Sequence, residues 1–350
     1  MGVLIMLQGL SLDALANEIQ EQAQLKQDFA VESQQIQMTP QGDRLLVPKL
    51  GLDLLVNDMA HRQMGASMKI HRKYYLQMLH NAPDLLATNV NYWLQRQGQR
   101  THVLRTMEGT ARAFLGGGYG IVDHEHLLLP LLLKLRELDD DLEVLSTGLT
   151  ENRLFLKLAF PKLEGEIRKG DVIRSGVTIC NSETGLGGLN TFQANFRLVC
   201  TNGMTRMERG MRFSIRHSGQ RHELGEILDP DVAAEKVERF LEHFNEARDE
   251  AAFQTTLEQM RRATQQSVEV SADVLLENAR QHFGLTLDEQ KNALENILME
   301  EDLTQYGLMN AFTATAKQVH SYARASELEA MGSKILNLSP HNWRELATAQ

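Results

Sequence analysis

Four residues that can bind metals or move protons stand in a row at Asp123, His124, Glu125 and His126. Carboxylates and imidazoles are common ligands of divalent cations. A helical zinc site, however, usually places its two histidines four residues apart, and alternate residues of a helix point in different directions. The spacing favours the start of a helix, where Asp123 caps the first turn and Glu125 opposes the helix dipole. We therefore expect no metal and no cofactor.

A second polar group lies in a glycine-rich connection between two predicted strands. Asn181, Glu183 and Gly185 occupy this connection, and Asn202 follows the second strand. Polar side chains on a flexible backbone are typical of a binding loop and equally of a plain turn. Cys200 could be a nucleophile, but a lone cysteine beside a strand is most often a small buried residue. We treat Asn181, Glu183, Gly185 and Asn202 as a candidate binding loop and assign no catalytic residue.

The periodicity of the chain predicts the scaffold for these groups. Apolar residues recur at helical spacing over 11–27 and 84–96, β-branched runs punctuated by glycine dominate 101–217, and the pattern is helical from Pro230 onward. We expect an α+β fold with a central, mostly antiparallel sheet, a helical N-terminal segment and a helical C-terminal region. The expected divisions are a helical N-terminal module at 1–100, a sheet-containing core at 101–221 and an acidic helical region at 222–350.

Several shorter signals refine this prediction. Residues 53–80 have a helical pattern, and the glycine run 116–118 indicates a tight turn between a strand and a helix. Thr286 and Glu289 have the spacing of a capping box, and Gly332 is placed to end a helix.

Composition is typical of a globular protein in a reducing compartment. The chain has 350 residues, of which 42% are hydrophobic and 23% charged, and only two are cysteines, too few for a disulfide framework. No apolar run approaches the roughly 20 residues needed to cross a bilayer. We expect a cytoplasmic protein without a membrane partner.

The formal net charge of −10 conceals two basic segments. Residues 60–115 hold eight basic residues against two acidic ones, with five aromatic residues interleaved, and residues 197–221 hold six arginines against one glutamate. Residues 222–302 hold 20 acidic and seven basic residues. The acidity of the protein is therefore concentrated in its C-terminal helices.

Basic segments with interleaved aromatic residues favour nucleic-acid binding, because guanidinium groups bind phosphates and aromatic rings stack on bases. The candidate contact residues are Arg72, Lys73, Arg96, Arg100, Arg105, Arg112, Arg197, Arg206, Arg209 and Arg212. The same arginines could instead pair with the acidic helices, either within the chain or across subunits of a homo-oligomer. The sequence leaves both alternatives open.

Longer motifs carry a resemblance to a known family. They are Lys69–Tyr75, Pro83–Ala87, Asn89–Leu94, Arg105–Gly109, Ala111–Leu115, Asn181–Gly185, Arg197–Gly203 and Gly307–Thr313. Over nearly its whole length the chain resembles the phage/plasmid-like family catalogued as domain of unknown function 932. The resemblance implies a DNA transaction, since the family occurs mainly on phages, plasmids and integrated elements, and it implies no particular chemistry. This chain departs from the family at Gly116–Gly118, where relatives often have serine and charged residues.

These observations favour a DNA-associated protein of mobile elements that binds or anneals single-stranded DNA. One alternative is a nucleic-acid-processing enzyme that uses Asn181, Glu183 and Cys200. The other is an assembly protein in which the acidic helices pack against the basic segments of a neighbouring subunit.

Overall fold

The structure is a computed structural model, and it describes residues 7–8, 11–137, 142–198, 202–205, 212–215, 230–319 and 322–348. The strands in these ranges are β1 (Leu7–Gln8), β2 (Lys26–Glu32), β3 (Gln37–Met38), β4 (Arg44–Val47), β5 (Leu52–Val56), β6 (Thr101–Met107), β7 (Thr110–Gly116), β8 (Glu143–Leu149), β9 (Leu154–Arg168), β10 (Asp171–Asn181), β11 (Leu189–Arg197), β12 (Asn202–Thr205) and β13 (Arg212–Ile215). The α-helices are α1 (Leu12–Leu25), α2 (Asp58–Ser67), α3 (Arg72–Asn81), α4 (Pro83–Arg96), α5 (His124–Glu137), α6 (Pro230–Glu246), α7 (Glu250–Ala263), α8 (Ala272–Phe283), α9 (Leu287–Glu300), α10 (Gln305–Thr315), α11 (Tyr322–Leu336) and α12 (Pro340–Leu346). Within the described ranges, each helix is too short or too polar to cross a bilayer.

The strands form two sheets. The first has the order β1-β8-β9-β10-β11-β12, and β13 also pairs with β11. The second has the order β2-β6-β7-β5-β4-β3 and is antiparallel except where β5 runs parallel to β7. The predicted α+β class, with mostly antiparallel strands and a helical C-terminal region, is confirmed.

The N-terminal segment contains more strand than its sequence pattern predicts. The expectation of helix over 53–80 is wrong at its beginning, because β5 occupies Leu52–Val56. In this strand Leu54 is buried between the exposed Asp53 and Leu55, a two-residue alternation that marks one buried face. Helix α2 begins only after Asn57, whose side chain accepts a hydrogen bond from the Ala60 backbone N–H.

Helices α2, α3 and α4 cover one face of the second sheet. Their buried side chains, including Met64, Met78 and Leu94, join strand residues such as Leu104 and Phe114 in one hydrophobic core. Because these helices bury one face each, their opposite faces are turned to solvent.

The first sheet and the C-terminal helices contribute two further cores. Helices α1, α5 and α6 pack on strands of the first sheet through residues such as Ile19, Leu131 and Phe240. Helices α7 to α12 form their own core, which includes Ile173 of β10 and is centred on apolar residues such as Phe312. The protein therefore has a helical layer on each sheet and a C-terminal helical bundle beside the first.

Two of the shorter signals have opposite outcomes. The capping box is confirmed: Thr286 accepts from the Glu289 backbone N–H, and Glu289 accepts from that of Thr286. The prediction that Gly332 ends a helix is wrong, because Gly332 lies inside α11. A Cβ at this position would lie 2.8 Å from Cγ2 of Thr313 on α10, so the glycine permits close packing of two helices.

The tight space around Gly176 on β10 gives a test of its pairing with β9. A Cβ on Gly176 would lie 2.0 Å from the Leu158 carbonyl oxygen, so we expect Gly176→Ala to lower the free energy of unfolding by about 1–3 kcal/mol or more. Denaturant unfolding measures this loss. Gly116→Ala is the matched control, since nothing lies within 4 Å of its added Cβ. Equal stability of the two variants would contradict the β9–β10 register.

Candidate functional site

A group of solvent-exposed basic and aromatic side chains lies on α3 and α4. We call this the α3–α4 surface and define it by Arg72, Lys73 and Tyr74 on α3 and by Tyr92, Trp93 and Arg96 on α4; all six are exposed. The surface arises because both helices direct their apolar residues inward: α3 buries Tyr75 and Met78, and α4 buries Leu86, Ala87, Val90 and Leu94.

Two of the aromatic rings of the α3–α4 surface, both on α4, contact each other, and one of them contacts a cation. The Tyr92 and Trp93 ring centroids are 5.2 Å apart in an edge-to-face arrangement, and the Arg96 guanidinium lies 5.6 Å from the Tyr92 centroid. The two helices are adjacent, since Asn89 Nδ2 is 3.6 Å from Met78 Sδ. Tyr74, Tyr92 and Trp93 keep 49%, 54% and 42% of their surface exposed.

The cations of this region are not neutralised within the part of the chain that the structure describes. Arg72, Lys73 and Arg96 form no ion pair with another described residue, and neither do the neighbouring exposed cations Arg62, Lys69 and Arg100. Only two acidic residues, Asp58 and Asp84, occur on α2, α3 and α4. The surface therefore presents a net positive charge next to exposed rings.

Arg105 and Arg112 have a different environment, because they are buried between the two sheets. Their exposed fractions are 0% and 2%. They belong to what we call the buried ion-pair cluster, which consists of Lys26, Asp28, Arg105, Arg112, Asp123, Glu125 and Glu183. These two arginines could bind a phosphate only after their internal contacts had broken, so we exclude them from the candidate nucleic-acid surface.

Glu183 is the centre of the buried ion-pair cluster. Its carboxylate accepts hydrogen bonds at 2.7 Å from Lys26 Nζ, from Arg112 Nη1 and from the His124 backbone N–H. Its backbone carbonyl accepts from Arg105 Nη1 at 2.7 Å and from the Tyr119 hydroxyl at 3.1 Å. Lys26, Arg105 and Arg112 lie on β2, β6 and β7. Glu183, which follows β10 of the first sheet, therefore connects that sheet to three strands of the second sheet.

The remaining charges of the cluster surround Arg105. Its Nε and Nη2 donate to the two carboxylate oxygens of Asp28 at 3.0 and 2.8 Å, and Nη2 also donates to Asp123 Oδ2 at 2.6 Å. A planar guanidinium binds a carboxylate through two parallel hydrogen bonds, which holds both side chains in one orientation.

The protonation states of the cluster suit a structural contact better than proton transfer. Burial alone would raise the pKa of Glu183, but His124, Lys26 and Arg112 hold it well below its usual range. Burial lowers the pKa of His124 to about 4, so this imidazole is neutral at pH 7, and its Nδ1 lies 3.0 Å from Asn181 Nδ2. A general acid or base needs a pKa near the working pH. Glu183 is therefore an ionised carboxylate at neutral pH, held between the side chains of Lys26 and Arg112.

The first four residues of the candidate binding loop, 181–184, face the protein interior. Asn181, Ser182, Glu183 and Thr184 each have no more than 2% of their surface exposed. The Thr184 carbonyl accepts a hydrogen bond from Gln63 Nε2 on α2 at 2.6 Å. Asn202 lies on β12, and its side chain is outside the described residues. Residues 181–184 therefore connect the two sheets and are closed to solvent, whereas Gly185 and Gly187 are exposed.

Gly185 has a conformational reason to be glycine. Its φ of +81° lies in the left-handed region, and an added Cβ would lie 2.6 Å from Leu115 Cδ2. This residue lets the loop approach β7 closely, and its position indicates packing between the sheets.

The arginines of the second basic segment lie only partly within the described residues. Arg197 forms ion pairs with Asp171 and with Glu300, each at 2.6 Å. Its pair with Glu300 of α9 agrees with the alternative in which arginines of the basic segments pair with the acidic helices of the same chain. Arg206, Arg209 and Cys200 lie outside the described residues, as does the side chain of Arg212. The structure therefore does not bring the two basic segments together on one described surface.

Sequence reasoning missed Lys26 and Asp28, which lie on β2 and complete the cluster. They stand two residues apart at a position where the pattern predicts the end of a helix. The available signal was an alternation of charged residues next to Phe29 and Val31, but an exposed edge strand has the same alternation. Their buried partners are more than 70 residues away, and no local pattern identifies them.

The comparisons with known proteins place the chain in a family. The model of a family described as domain of unknown function (DUF932) matches residues 113–335, which is more than half of the chain. The chain belongs to this family. The matched region contains Asp123, Glu125 and Glu183 of the buried ion-pair cluster, whereas the α3–α4 surface precedes it. A search among curated proteins finds no match, and a search among solved structures finds none either.

The central carboxylate of the cluster gives a direct test. We expect Glu183→Gln to lower the free energy of unfolding by about 3–5 kcal/mol, because it leaves the buried Arg112 without an ion-pair partner among the described residues and leaves Lys26 with Glu125 alone. Denaturant unfolding measures the effect. Glu164→Gln is the control, since the exposed pair of Glu164 with Arg174 contributes at most about 1 kcal/mol. A Glu183→Gln protein as stable as this control would contradict a structural role of the cluster.

Proposed function

We propose that this protein binds single-stranded nucleic acid, with DNA as the preferred substrate, through the α3–α4 surface. The observation that carries the proposal is the set of unpaired cations beside three exposed aromatic rings on adjacent helices. The internal ion pairs of Arg105, Arg112 and Arg197 support the same choice, because among the candidate cations whose side chains the structure describes they leave those on the helices as the accessible phosphate contacts.

Electrostatics supplies the affinity in this proposal. Each lysine or arginine that neutralises a phosphate releases counterions from the nucleic acid, and this gain falls as salt rises. Arg72, Lys73 and Arg96 are exposed and free of competing carboxylates among the described residues. They can therefore contact phosphates without first breaking an ion pair of the protein.

The rings favour a single strand over a duplex. Tyr92 and Trp93 can stack only on bases that are not already stacked and paired, and such stacking is tolerant of sequence. Flanking guanidinium groups such as that of Arg96 add cation–π attraction and phosphate contacts. DNA is the preferred substrate because the family resemblance implies DNA transactions.

The enzymatic alternative receives less support. An enzyme of this kind needs a solvent-accessible acid or base that can gain and lose a proton near neutral pH. Glu183 is instead buried and ion-paired, and its lowered pKa keeps it charged at neutral pH. The assembly alternative would have to rely on the cations of the α3–α4 surface among the described residues, because Arg197 is already paired within its own chain.

Charge reversal tests the phosphate contacts. We expect the triple variant Arg72→Glu, Lys73→Glu and Arg96→Glu to lose most of its affinity for an oligothymidine of about 20 nucleotides, and the salt slope to fall by about 0.7 for each contact removed. Fluorescence anisotropy over a series of salt concentrations measures both quantities.

A matched triple variant controls for net charge. Lys169→Glu, Arg262→Glu and Lys291→Glu make the same change at exposed positions outside the α3–α4 surface. We expect this protein to keep the affinity within a few-fold. Salt-independent binding, or equal losses in the two triple variants, would count against the proposed surface.

The stacking contact has an intrinsic reporter. The chain has two tryptophans, of which Trp93 is 42% exposed and Trp343 only 3%. We expect an oligonucleotide to quench the fluorescence of Trp93, and Trp93→Phe to abolish the quenching while retaining most of the binding. Trp93→Ala should cost about 1–3 kcal/mol of binding free energy because it removes the ring. Quenching that persists in Trp93→Phe would refute a stacking role for this residue.

A further inference from the structure

Three potential metal ligands converge at the beginning of α5. One ligand atom from each of Asp123, Glu125 and His126 can be chosen so that all three lie within 4.8 Å of one another. The convergence has a local cause, since the His126 backbone N–H donates to the Asp123 carbonyl at 3.2 Å. This turn brings residue 126 alongside residue 123. The spacing of three residues differs from that of the usual helical zinc site, in which two histidines lie four residues apart.

Two of these residues have buried polar atoms without a partner among the described residues. Asp123 is 4% exposed, yet its Oδ1 accepts no hydrogen bond, and His126 Nδ1 is likewise buried and unsatisfied. Buried polar atoms are almost always paired, and an unpaired carboxylate oxygen is especially costly. Both atoms are potential ligands of a cation, and a bound ion is one way to satisfy buried atoms of this kind.

One oxygen of each carboxylate, Asp123 and Glu125, already accepts a hydrogen bond from a cation of the cluster. Arg105 Nη2 donates to Asp123 Oδ2 at 2.6 Å, and Lys26 Nζ donates to Glu125 Oε2 at 2.9 Å. Outer partners of this kind orient the ligands of metal sites and are a normal part of their construction. In this structure they leave Oδ1 of Asp123 and Oε1 of Glu125 as the oxygens available to an ion.

The charge balance allows a cation but limits its affinity. The buried ion-pair cluster holds four carboxylates against Lys26, Arg105 and Arg112, so its formal charge is negative by one. The N-terminus of α5 and the nearby cations oppose a second positive group. We therefore expect weaker binding than at a closed structural zinc site.

We propose that Asp123, Glu125 and His126 bind one divalent transition-metal ion, with two carboxylate oxygens and one imidazole nitrogen as ligands. An imidazole in the set favours Zn²⁺, Mn²⁺, Fe²⁺ or Co²⁺ over Mg²⁺ and Ca²⁺, which prefer oxygen ligands alone. Three protein ligands leave coordination positions for solvent. The site is independent of the α3–α4 surface.

Titration of the chelator-treated full chain with Zn²⁺, and separately with Mg²⁺, tests the site. Isothermal titration calorimetry should give one Zn²⁺ per chain, and His126→Ala should weaken this binding by at least about 10-fold, because losing a ligand costs no less than losing one of its outer hydrogen-bond partners. His341→Ala is the control, because His341 and Glu345 form an exposed pair on α12 that could bind Zn²⁺ adventitiously.

His126 is the preferred position for substitution, since its Nδ1 makes no hydrogen bond whose loss would unfold the protein. Circular dichroism should show unchanged helix content, and Co²⁺ added to the wild type should give a visible absorption spectrum that His126→Ala lacks. No Zn²⁺ uptake, uptake that His126→Ala leaves unchanged, uptake that His341→Ala abolishes, or a preference for Mg²⁺ would each overturn the proposal.

Discussion

The rest of the structure depends on the burial of the Glu183 carboxylate between cations of the other sheet. An isolated buried carboxylate would carry a large desolvation penalty, and Lys26 and Arg112 offset it only while both sheets keep their relative position. The contact therefore fixes more than one side chain. It sets the approach of the loop after β10 to three strands that are distant in sequence, and it determines where the first turn of α5 lies, because the His124 backbone N–H donates to the same carboxylate.

This constraint also separates two kinds of basic residue that look alike in the sequence. Arg105 and Arg112, which lie on strands, point into the junction of the sheets and form ion pairs with carboxylates there. Cations on α3 and α4 lie on helices that already bury an apolar face, so their side chains can only point outward. Charge composition counts both kinds together, whereas the availability of each residue to a ligand depends on whether its side chain points into the junction of the sheets or toward solvent.

The sequence predicted those features that local patterns determine. Alternation and helical periodicity identified most elements, and the spacing of Thr286 and Glu289 identified a helix start. The partners of Glu183 could not be found in this way, because ion pairs across more than 70 residues leave no periodic trace. Gly332 was misjudged for a related reason: its neighbour is a side chain of another helix, and a glycine needed for packing looks like a glycine that ends a helix.

The acidic C-terminal helices limit what the net charge of −10 says about ligands. At physiological ionic strength charges are screened over about 8 Å, so a ligand at the α3–α4 surface responds mainly to the nearest groups, among them Arg72 and Arg96. At low salt the screening length is longer, so the negative charge of the C-terminal helices also repels an approaching polyanion. The overall charge therefore affects how fast such a ligand arrives, whereas the local charge and the exposed rings govern how tightly it is held.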